Sequence, residues 1–222
     1  MDCLIGMQHI PPNSIDLIIT DPPYGENVGY GRNKKKILGN ESIEINYRML
    51  EICYFRLKNN SSVYLFTNWK KVDKIKNFVV SQRKYKIKTI LTIVKNNIGM
   101  GQDFRNQYEL CFVLEKGKPK YNFKNFSTVQ QMGYIEHNED THPHQKDVNL
   151  IRKLIEHSSK QGDLILDPFM GSGTTAVACK QLNRNFIGFE IDKRYYEIAK
   201  QRLEQDTLHK WEKLNFPQEM EV

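Results

Sequence analysis

Two short segments of this sequence combine residue types that could hold and activate a small polar ligand. In the first, the apolar run Ile15–Thr20 ends in Asp21-Pro22-Pro23-Tyr24. The two prolines restrict the backbone, so a carboxylate, a main-chain carbonyl and an aromatic ring can face one pocket. The oxygen groups accept hydrogen bonds from an exocyclic amine, and the ring stacks on a base for roughly 1–3 kcal/mol. The tetrapeptide therefore indicates a pocket for an amine-bearing base, although a Pro-Pro turn capped by aspartate is the plainer interpretation.

The second segment, Leu166-Asp-Pro-Phe-Met-Gly-Ser-Gly-Thr-Thr175, predicts a strand that enters a glycine loop and then a helix. Gly171 and Gly173 let the backbone approach a ligand closely, and the helix amino terminus favours an anionic group. The spacing lacks the full G-x-G-x-x-G of dinucleotide folds and the terminal Gly-Lys of a phosphate loop, which disfavours NAD and nucleoside triphosphates. Glu190 ends the next predicted strand about 20 residues later, where an acidic side chain can hold two ribose hydroxyls.

These segments need a scaffold that brings strand ends together, and the apolar pattern predicts one. Short apolar runs alternate with helical periodicity, which is typical of a doubly wound α/β sheet. The middle pair of strands, separated by the polar residues 95–107, predicts an antiparallel hairpin with a long loop. The predicted strands are 15–20, 62–67, 86–94, 108–115, 163–167 and 185–190, and the predicted helices are 42–57, 69–80, 148–155, 173–182 and 192–203.

The composition is that of an ordinary globular domain. At 222 residues the chain can bury one core without metal or disulfide staples. No apolar run is long enough for a transmembrane helix or a signal peptide, so we expect a cytoplasmic protein without a membrane partner. The four cysteines stand singly and are expected to be reduced core residues. The formal net charge of +7 suits a polyanionic partner, but a solvated lysine-rich surface explains it equally well.

Together the two segments resemble the amino-methyltransferase family of DNA-modifying enzymes, which act on adenine N6 or cytosine N4. The resemblance covers nearly the whole chain, and the tetrapeptide precedes the glycine loop, as in the circularly permuted beta group. It implies a Rossmann-like S-adenosylmethionine-dependent methyltransferase fold, an α/β fold with a mostly parallel sheet and helices on both faces. The matching pieces are Asp21-Pro-Pro-Tyr24, Asp167-Pro-Phe-Met-Gly-Ser-Gly-Thr174, Gly188-Phe-Glu-Ile-Asp192 with Tyr195 and Arg202, and His142-Pro-His-Gln-Lys146.

Carried over by position, the resemblance implies a role for each piece. The implied catalytic residues, which would hold the target base, are Asp21, Pro22, Pro23 and Tyr24. The residues implied for the methionine and ribose parts of S-adenosyl-L-methionine are Asp167, Phe169, Gly171, Ser172, Gly173 and Thr174. Glu190 would hold the ribose, Asp2 would meet the adenine amino group, and Gln145 and Lys146 would help to close the pocket. We expect no metal, because His142 and His144 have no carboxylate or cysteine partner at ligand spacing.

Three departures from the family pattern concern the organisation of the chain. Asp147 stands where the family usually has proline, which affects the start of the following helix. The family usually has strand residues before the position of Asp2, so either an edge strand is missing or the sequence begins late. The segment in place of a recognition domain is short. We expect a single domain, 1–222, with a catalytic half (21–116), a target-recognition segment (117–142), a cofactor-binding half (143–203) and a charged tail (204–222).

Double-stranded DNA is the implied partner, and other loops must help to grip it. The nucleic-acid-binding candidates are Arg32, Lys34, Lys35 and Lys36 in the loop 25–42 and Arg105 in the loop 95–107. For the first loop, a solvated segment without contacts is the plainer interpretation. We also expect a short target site, or a homodimer or second subunit that widens the footprint.

Adenine is the favoured target because Asp leads the tetrapeptide, whereas cytosine-N4 members more often begin with Ser. A cytosine-N4 enzyme is the main alternative, and an RNA substrate is a weaker one. From a different class, the chain could be a catalytically silent DNA-binding subunit with the same fold. The presence of Asp21, Tyr24, Gly171 and Glu190 argues against that alternative.

Overall fold

The computed structural model describes residues 1–24, 29–30, 35–36, 43–98, 103–133 and 146–215. The strands are β1 (Ile15–Thr20), β2 (Gly29–Tyr30), β3 (Lys35–Lys36), β4 (Leu57–Thr67), β5 (Lys86–Val94), β6 (Tyr108–Lys116), β7 (Val129–Gln131), β8 (Leu164–Asp167) and β9 (Asn185–Gly188). The helices are α1 (Cys3–Gly6), α2 (Glu44–Arg56), α3 (Val72–Gln82), α4 (Val148–Ser158), α5 (Thr174–Gln181) and α6 (Lys193–Asn215), with 3₁₀ turns at Met7–His9 and Trp69–Lys71.

A seven-stranded sheet runs through the centre of the protein in the order β7-β5-β6-β4-β1-β8-β9. The strand β1 pairs in parallel with β4 and β8, and β8 pairs in parallel with β9. Only β6 runs in the opposite direction within this sheet, antiparallel to both β4 and β5. The predicted hairpin of the middle strands is therefore confirmed. The carboxyl ends of the other six strands lie at one edge, which we call the carboxyl edge.

Helices cover both faces of the sheet, as the predicted fold class requires. Alternate residues of the central strands enter two different cores: Ile18 of β1 faces the core formed with α1, α2 and α3, whereas Leu17 and Ile19 face the core formed with α4 and α5. The strand β1 is almost wholly apolar because it is buried on both sides.

Several element boundaries differ from the predictions. The strand β4 begins at Leu57 rather than at residue 62, and α6 continues past the predicted end at 203 to Asn215, into the predicted charged tail. The start of β4 was not predicted because Lys58, Asn59 and Asn60 are polar and interrupt the apolar pattern. Asn60 also has a left-handed φ of 62°. The helix α1 and the strand β7 were not predicted, because four and three residues are too few to show a period.

The first part of the expected target-recognition segment is part of the scaffold. Residues 117–128 lead from β6 to β7 and contact the end of α4, which lies at the edge opposite the carboxyl edge because β8 starts shortly afterwards. The Asn122 side chain donates to the carbonyls of Glu156 and Ser159 at 2.6 and 2.8 Å. The rings of Tyr121 and Phe126 stack on His157 with centroid distances of 4.8 and 4.2 Å. The later part of the segment, 134–142, lies outside the described residues.

Asp147 connects the end of β7 to the start of α4. One carboxylate oxygen accepts a hydrogen bond from Asn149 N at 2.9 Å and caps the helix, and the other accepts from Gly133 N at 2.7 Å. Aspartate is one of the preferred residues at the N-cap of a helix. The departure at Asp147 therefore leaves the helix intact.

We predict that Lys116→Met lowers the free energy of unfolding by roughly 1–3 kcal/mol, because its buried partners would lose their donor. The Lys116 ammonium donates to the carbonyls of Tyr54 and Leu57 at 2.7 and 2.6 Å and lies opposite the carboxyl edge. Urea denaturation measures the effect. Lys86→Met, at an exposed position of β5, is the matched control and should change stability by less than about 0.5 kcal/mol. Equal losses in both variants would contradict the prediction.

Candidate active site

The carboxyl edge brings the two chemistry-bearing segments together. The strand β1 ends at Thr20, so Asp21 and the buried Pro22 follow directly at this edge. Its parallel neighbour β8 ends at Asp167, and Glu190 follows β9, the next parallel strand. Ligands of open α/β sheets bind outside the carboxyl ends of the strands. The structure thus places the segments predicted to bind the base and the cofactor at the ends of adjacent strands.

The turn after β1 gives each carboxylate oxygen of Asp21 a different partner. The Tyr24 hydroxyl donates to Oδ1 at 2.5 Å, and the Lys146 ammonium lies 2.7 Å from Oδ2. The Pro23 carbonyl accepts from Asn46 Nδ2 at 3.3 Å, which ties the turn to α2. The oxygen Oδ1, which could accept from a target amine, is therefore occupied by an internal hydroxyl.

Lys146 belongs to a cluster of four charged side chains beside this turn. Its ammonium lies 2.6 Å from Glu109 Oε2, and Glu109 Oε1 lies 2.6 Å from the Lys95 ammonium. Lys146 was predicted to help close the cofactor pocket, but the structure places its ammonium between Asp21 and Glu109. The cluster assembles because β5 ends and the reversed β6 begins at the carboxyl edge.

The charges of this cluster determine the protonation states around Asp21. Burial opposes the ionisation of Glu109, but Lys146 and Lys95 lower its pKa to about 2. Burial likewise opposes the charge on Lys146, but Asp21 and Glu109 raise the pKa of its ammonium above the ordinary value. Burial and then the charges of Asp21 and Glu109 raise the pKa of Tyr24. At neutral pH, Tyr24 is therefore a neutral hydrogen-bond donor and not a base.

The glycine loop is held from both sides. Gly171 N donates to Glu190 Oε2 at 2.9 Å, while the other oxygen of Glu190 accepts from Asp192 N at 2.7 Å. The Arg202 guanidinium donates to the Ser172 carbonyl at 2.6 Å and to its hydroxyl at 3.1 Å. Arg202 also contacts the Thr174 hydroxyl at 3.3 Å. The hydroxyls of Ser172 and Thr174, both predicted to contact the cofactor, thus face α6. The loop backbone is therefore the part best suited to contact a cofactor.

Asp167 and Phe169 lie at the start of this loop. Asp167 is buried, accepting hydrogen bonds from the Thr175 hydroxyl at 2.7 Å and from Phe169 N at 3.1 Å. Burial raises its pKa to about 7, although these hydrogen bonds act in the opposite direction. The Phe169 ring is half-buried against the core. A cationic ligand nearby would favour the ionised form of Asp167.

Asp2 directly follows Met1, which contacts Glu190, and its predicted contact with the cofactor stays a prediction. The Met1 nitrogen donates to the Glu190 carbonyl at 2.7 Å, and α1 packs closely on Phe189, where a Cβ at Gly6 would lie 2.2 Å from the ring. Asp2 Oδ1 accepts from Leu4 N at 2.7 Å and caps α1. Its carboxylate retains further acceptor capacity for an amino group.

Some predicted residues lie outside the described part of the chain. They are Arg32, Lys34, Gln145, His142 and His144, and for Lys35 and Lys36 the backbone strand β3 is described. Arg105 is exposed in the loop between β5 and β6. The base of that loop is fixed by the hydrogen bond from Lys95 N to the Gln107 carbonyl at 2.8 Å. Arg105 thus extends from the same edge as Asp21.

These groups fit S-adenosylmethionine. The Glu190 carboxylate accepts one backbone hydrogen bond per oxygen, and a carboxylate has about four acceptor sites, so ribose hydroxyls can still bind. A Cβ at Gly171, whose φ is 53°, would meet no described protein atom within 4 Å, so its outer face is open to a ligand. The carboxylates of Asp167 and Asp2 add hydrogen-bond acceptors, and the Phe169 ring adds an apolar surface, for a ligand that joins methionine to adenosine.

The comparisons with known proteins agree with this geometry. Residues 15–201 match the family model described as DNA methylase, which covers N6 and N4 enzymes. The Type II methyltransferase M.HpaI of Haemophilus parainfluenzae is 31% identical over 90% of this chain and 72% of the relative. The chain belongs to the DNA methylase family. Type II methyltransferase M2.DpnII of Streptococcus pneumoniae is a further relative of this DNA methyltransferase, 29% identical over 90% of this chain and 87% of the relative.

Solved structures confirm the predicted fold and support the cofactor. The M1.HpyAVI–SAM complex has a TM-score of 0.68 and 28% identity, covering 91% of this chain and 96% of the other. The cytosine-N4-specific PvuII DNA methyltransferase has a TM-score of 0.75 at 17% identity, covering 93% and 88%, and shows the fold alone. The predicted family, the Rossmann-like fold and S-adenosylmethionine as cofactor are confirmed. The family includes both adenine-N6 and cytosine-N4 enzymes.

Sequence reasoning missed several residues around this methyltransferase site. Glu109 and Lys95 lie at the ends of predicted strands, and Asn46 is a buried polar residue on the apolar side of α2. No local pattern singles out Glu109, because Glu115 of the same strand is also acidic and the charged partners of Glu109 are distant in sequence. No helix in the described ranges is long and apolar enough to cross a membrane, and those ranges hold no His, Cys, Asp and Glu group of metal-binding size.

We predict that alanine substitutions separate the roles of the two loop glycines. Gly171→Ala should cost about 1 kcal/mol of stability because of its positive φ, and should weaken S-adenosylmethionine binding by crowding the ligand face. Gly173→Ala should lower the free energy of unfolding by roughly 1–3 kcal/mol more than Gly171→Ala does, because its Cβ would lie 2.7 Å from Ala199 Cβ. Calorimetry and urea denaturation measure the two effects. An unchanged dissociation constant for folded Gly171→Ala would mean that the cofactor does not pass this residue.

Proposed function

We propose that this DNA methyltransferase transfers a methyl group from S-adenosylmethionine to the exocyclic N6 of an adenine flipped out of double-stranded DNA. The observation that carries the proposal is the placement of Asp21 and Asp167 at the ends of the paired parallel strands β1 and β8. One strand end would hold the target amine and the neighbouring strand end would hold the cofactor. This arrangement can bring the amine nitrogen and the methyl carbon together. A flipped base is required because the amine cannot be reached inside the duplex.

The residues of the turn would orient the amine. S-adenosylmethionine, when bound, supplies a methyl group on a sulfonium leaving group. Asp21 Oδ1 and the Pro22 carbonyl accept hydrogen bonds from the two amine hydrogens, which directs the nitrogen lone pair out of the ring plane and towards the methyl donor. As the N–CH₃ bond forms and the bond from sulfur to methyl breaks, the thioether leaves and the methylated nitrogen loses one of these two protons to water. The amine replaces the Tyr24 hydroxyl at Oδ1, and the Tyr24 ring then stacks on the base. The chain thus contributes alignment and hydrogen bonding.

The choice of adenine rests on Asp21 at the head of the tetrapeptide, where cytosine-N4 enzymes more often carry Ser. Mass spectrometry of nucleosides from DNA treated with the protein and S-adenosylmethionine separates the alternatives. N6-methyladenine supports the proposal, and N4-methylcytosine replaces it with the other amino-methyltransferase activity. Cofactor binding without either product would indicate a silent DNA-binding subunit.

We predict that Asp21→Ala nearly abolishes methyl transfer while leaving S-adenosylmethionine affinity within about twofold, because its main partner is the target amine. Tyr24→Ala should weaken productive base binding by roughly 1–3 kcal/mol through lost stacking, and Tyr24→Phe should be milder. Single-turnover kinetics and calorimetry make the comparison. Asp16→Asn, at the opposite end of β1 where Asp16 pairs with Lys58 at 2.7 Å, is the control and should retain activity. Turnover by Asp21→Ala close to wild type would remove Asp21 from the mechanism.

DNA engagement is proposed for the loops at the carboxyl edge. Arg105 extends there beside the Lys95–Gln107 pairing, and Lys34, Lys35 and Lys36 follow the tetrapeptide in sequence. Since Tyr121, Asn122 and Phe126 contact the end of α4, the first part of the predicted recognition segment is less available to read bases. We therefore expect a short target site, or a homodimer or second subunit that widens the footprint.

We predict that neutralising Lys34, Lys35 and Lys36 together weakens DNA binding across sequences. The salt slope of the binding constant should fall by about one unit for each lost phosphate contact. Titrations at several salt concentrations, with S-adenosylmethionine affinity as the control, measure this effect. An unchanged slope would remove these lysines from the DNA interface.

A further inference from the structure

Lys146 contacts two carboxylates from different elements, and one of them belongs to Asp21. The ammonium lies 2.7 Å from Asp21 Oδ2 and 2.6 Å from Glu109 Oε2. We propose that Lys146 and Glu109 are positioning residues for methyl transfer: Lys146 fixes the carboxylate of Asp21, and Glu109 fixes Lys146. This inference rests on the proposed function, in which Asp21 receives the target amine.

The two oxygens of Asp21 differ in how readily their partners can be exchanged. Oδ2 is paired with the ammonium of Lys146, which is only 8% exposed and is shared with Glu109. Oδ1 accepts from the neutral hydroxyl of Tyr24. Moving a buried ammonium away from two carboxylates costs far more than replacing one neutral hydrogen bond by another. The amine therefore binds Oδ1, and Lys146 determines the direction in which that oxygen points.

Rigid elements hold Lys146 and Glu109 in place. Lys146 directly precedes Asp147, the N-cap of α4, and its ammonium lies 5.1 Å from the centroid of the Phe66 ring. Glu109 is part of β6, where it pairs with Ile93 of β5. Supporting residues fixed in this way keep a catalytic group within the narrow range of angles that transfer requires.

The charges of the cluster cancel. Asp21 and Glu109 each contribute one negative charge, and Lys146 and Lys95 each contribute one positive charge. Lys95, whose side chain is 36% exposed, pairs with Oε1 of Glu109. This second lysine balances the negative charge that Glu109 adds to the pair formed by Asp21 and Lys146. Buried charges require such pairing. The arrangement gives Asp21 a cationic partner without leaving a net charge in the base pocket.

Two other roles for Lys146 give different experimental results. If it contacts the cofactor, its removal weakens S-adenosylmethionine binding. If it only stabilises the fold, its removal lowers stability and leaves the transfer rate of the folded protein unchanged. Lys116 is the matched control, because it is 6% exposed, its ammonium is also fully engaged, and it lies at the opposite end of β6 from Glu109.

The test compares full-length Lys146→Met, Glu109→Gln, their double variant and Lys116→Met by single-turnover methylation at saturating S-adenosylmethionine and DNA. Misplacement of Asp21 should lower the transfer rate by about 10²-fold in both single variants, with cofactor affinity within about twofold of wild type. Because Glu109 acts through Lys146, the double variant should be no slower than Lys146→Met. Lys146→Arg, which keeps the charge, should recover part of the rate, and folded Lys116→Met should transfer normally.

A second readout does not depend on activity. In protein labelled with ¹⁵N at the lysine Nζ, the buried ammonium of Lys146 should give a slowly exchanging NMR signal that is lost in Lys146→Met. Glu109→Gln and Asp21→Asn should each shift that signal or speed its exchange, and an unaffected signal would overturn the contacts. Folded Lys146→Met with a rate within about threefold of wild type, or with lost cofactor affinity instead, would overturn the positioning role. Absence of any methylated product from the wild-type protein would instead overturn the proposed function.

Discussion

Parallel pairing between β1 and β8 is the constraint on which the rest of the site depends. The register sets Ile18 opposite Leu166, so Asp21 and Asp167, which lie three residues and one residue further along, reach the same edge of the sheet. An antiparallel neighbour would have sent one of them to the other edge. Parallel pairing also requires long crossover connections, which is why helices cover both faces and why both central strands are apolar on both sides. The scaffold and the site thus have the same physical origin.

The conformation of the glycine loop depends on its packing against α6. Gly173 was expected to be glycine for the sake of the ligand, but in the structure it makes room for Ala199 of α6. Arg202, one turn further along that helix, holds the Ser172 carbonyl. The conformation of the loop backbone is therefore coupled to the docking of α6.

Sequence reasoning was most successful where the information is local. The strand β1 and its turn could be predicted because the apolar run that indicates the strand and the two prolines that indicate the turn lie within ten consecutive residues. Glu109 could not be found in this way, because Lys95 and Lys146 become its neighbours only when β5, β6 and the start of α4 meet at one edge. For the same reason the sequence could not place Lys146 beside Asp21, and its predicted role at the cofactor pocket stays a prediction. The short elements α1 and β7 carry too little pattern and form because tertiary packing supports them.

The hydrogen bond between Gly133 and Asp147 has a consequence for how the ion cluster responds to changes elsewhere in the chain. One carboxylate holds both the residue after Met132, close to the end of β7, and the first turn of α4. Lys146 directly precedes that carboxylate, so its backbone is anchored next to a point where two elements are joined. A substitution at Asp147 would therefore act at a distance: it would separate β7 from α4 and, through the neighbouring peptide bond, shift the ammonium that contacts Asp21.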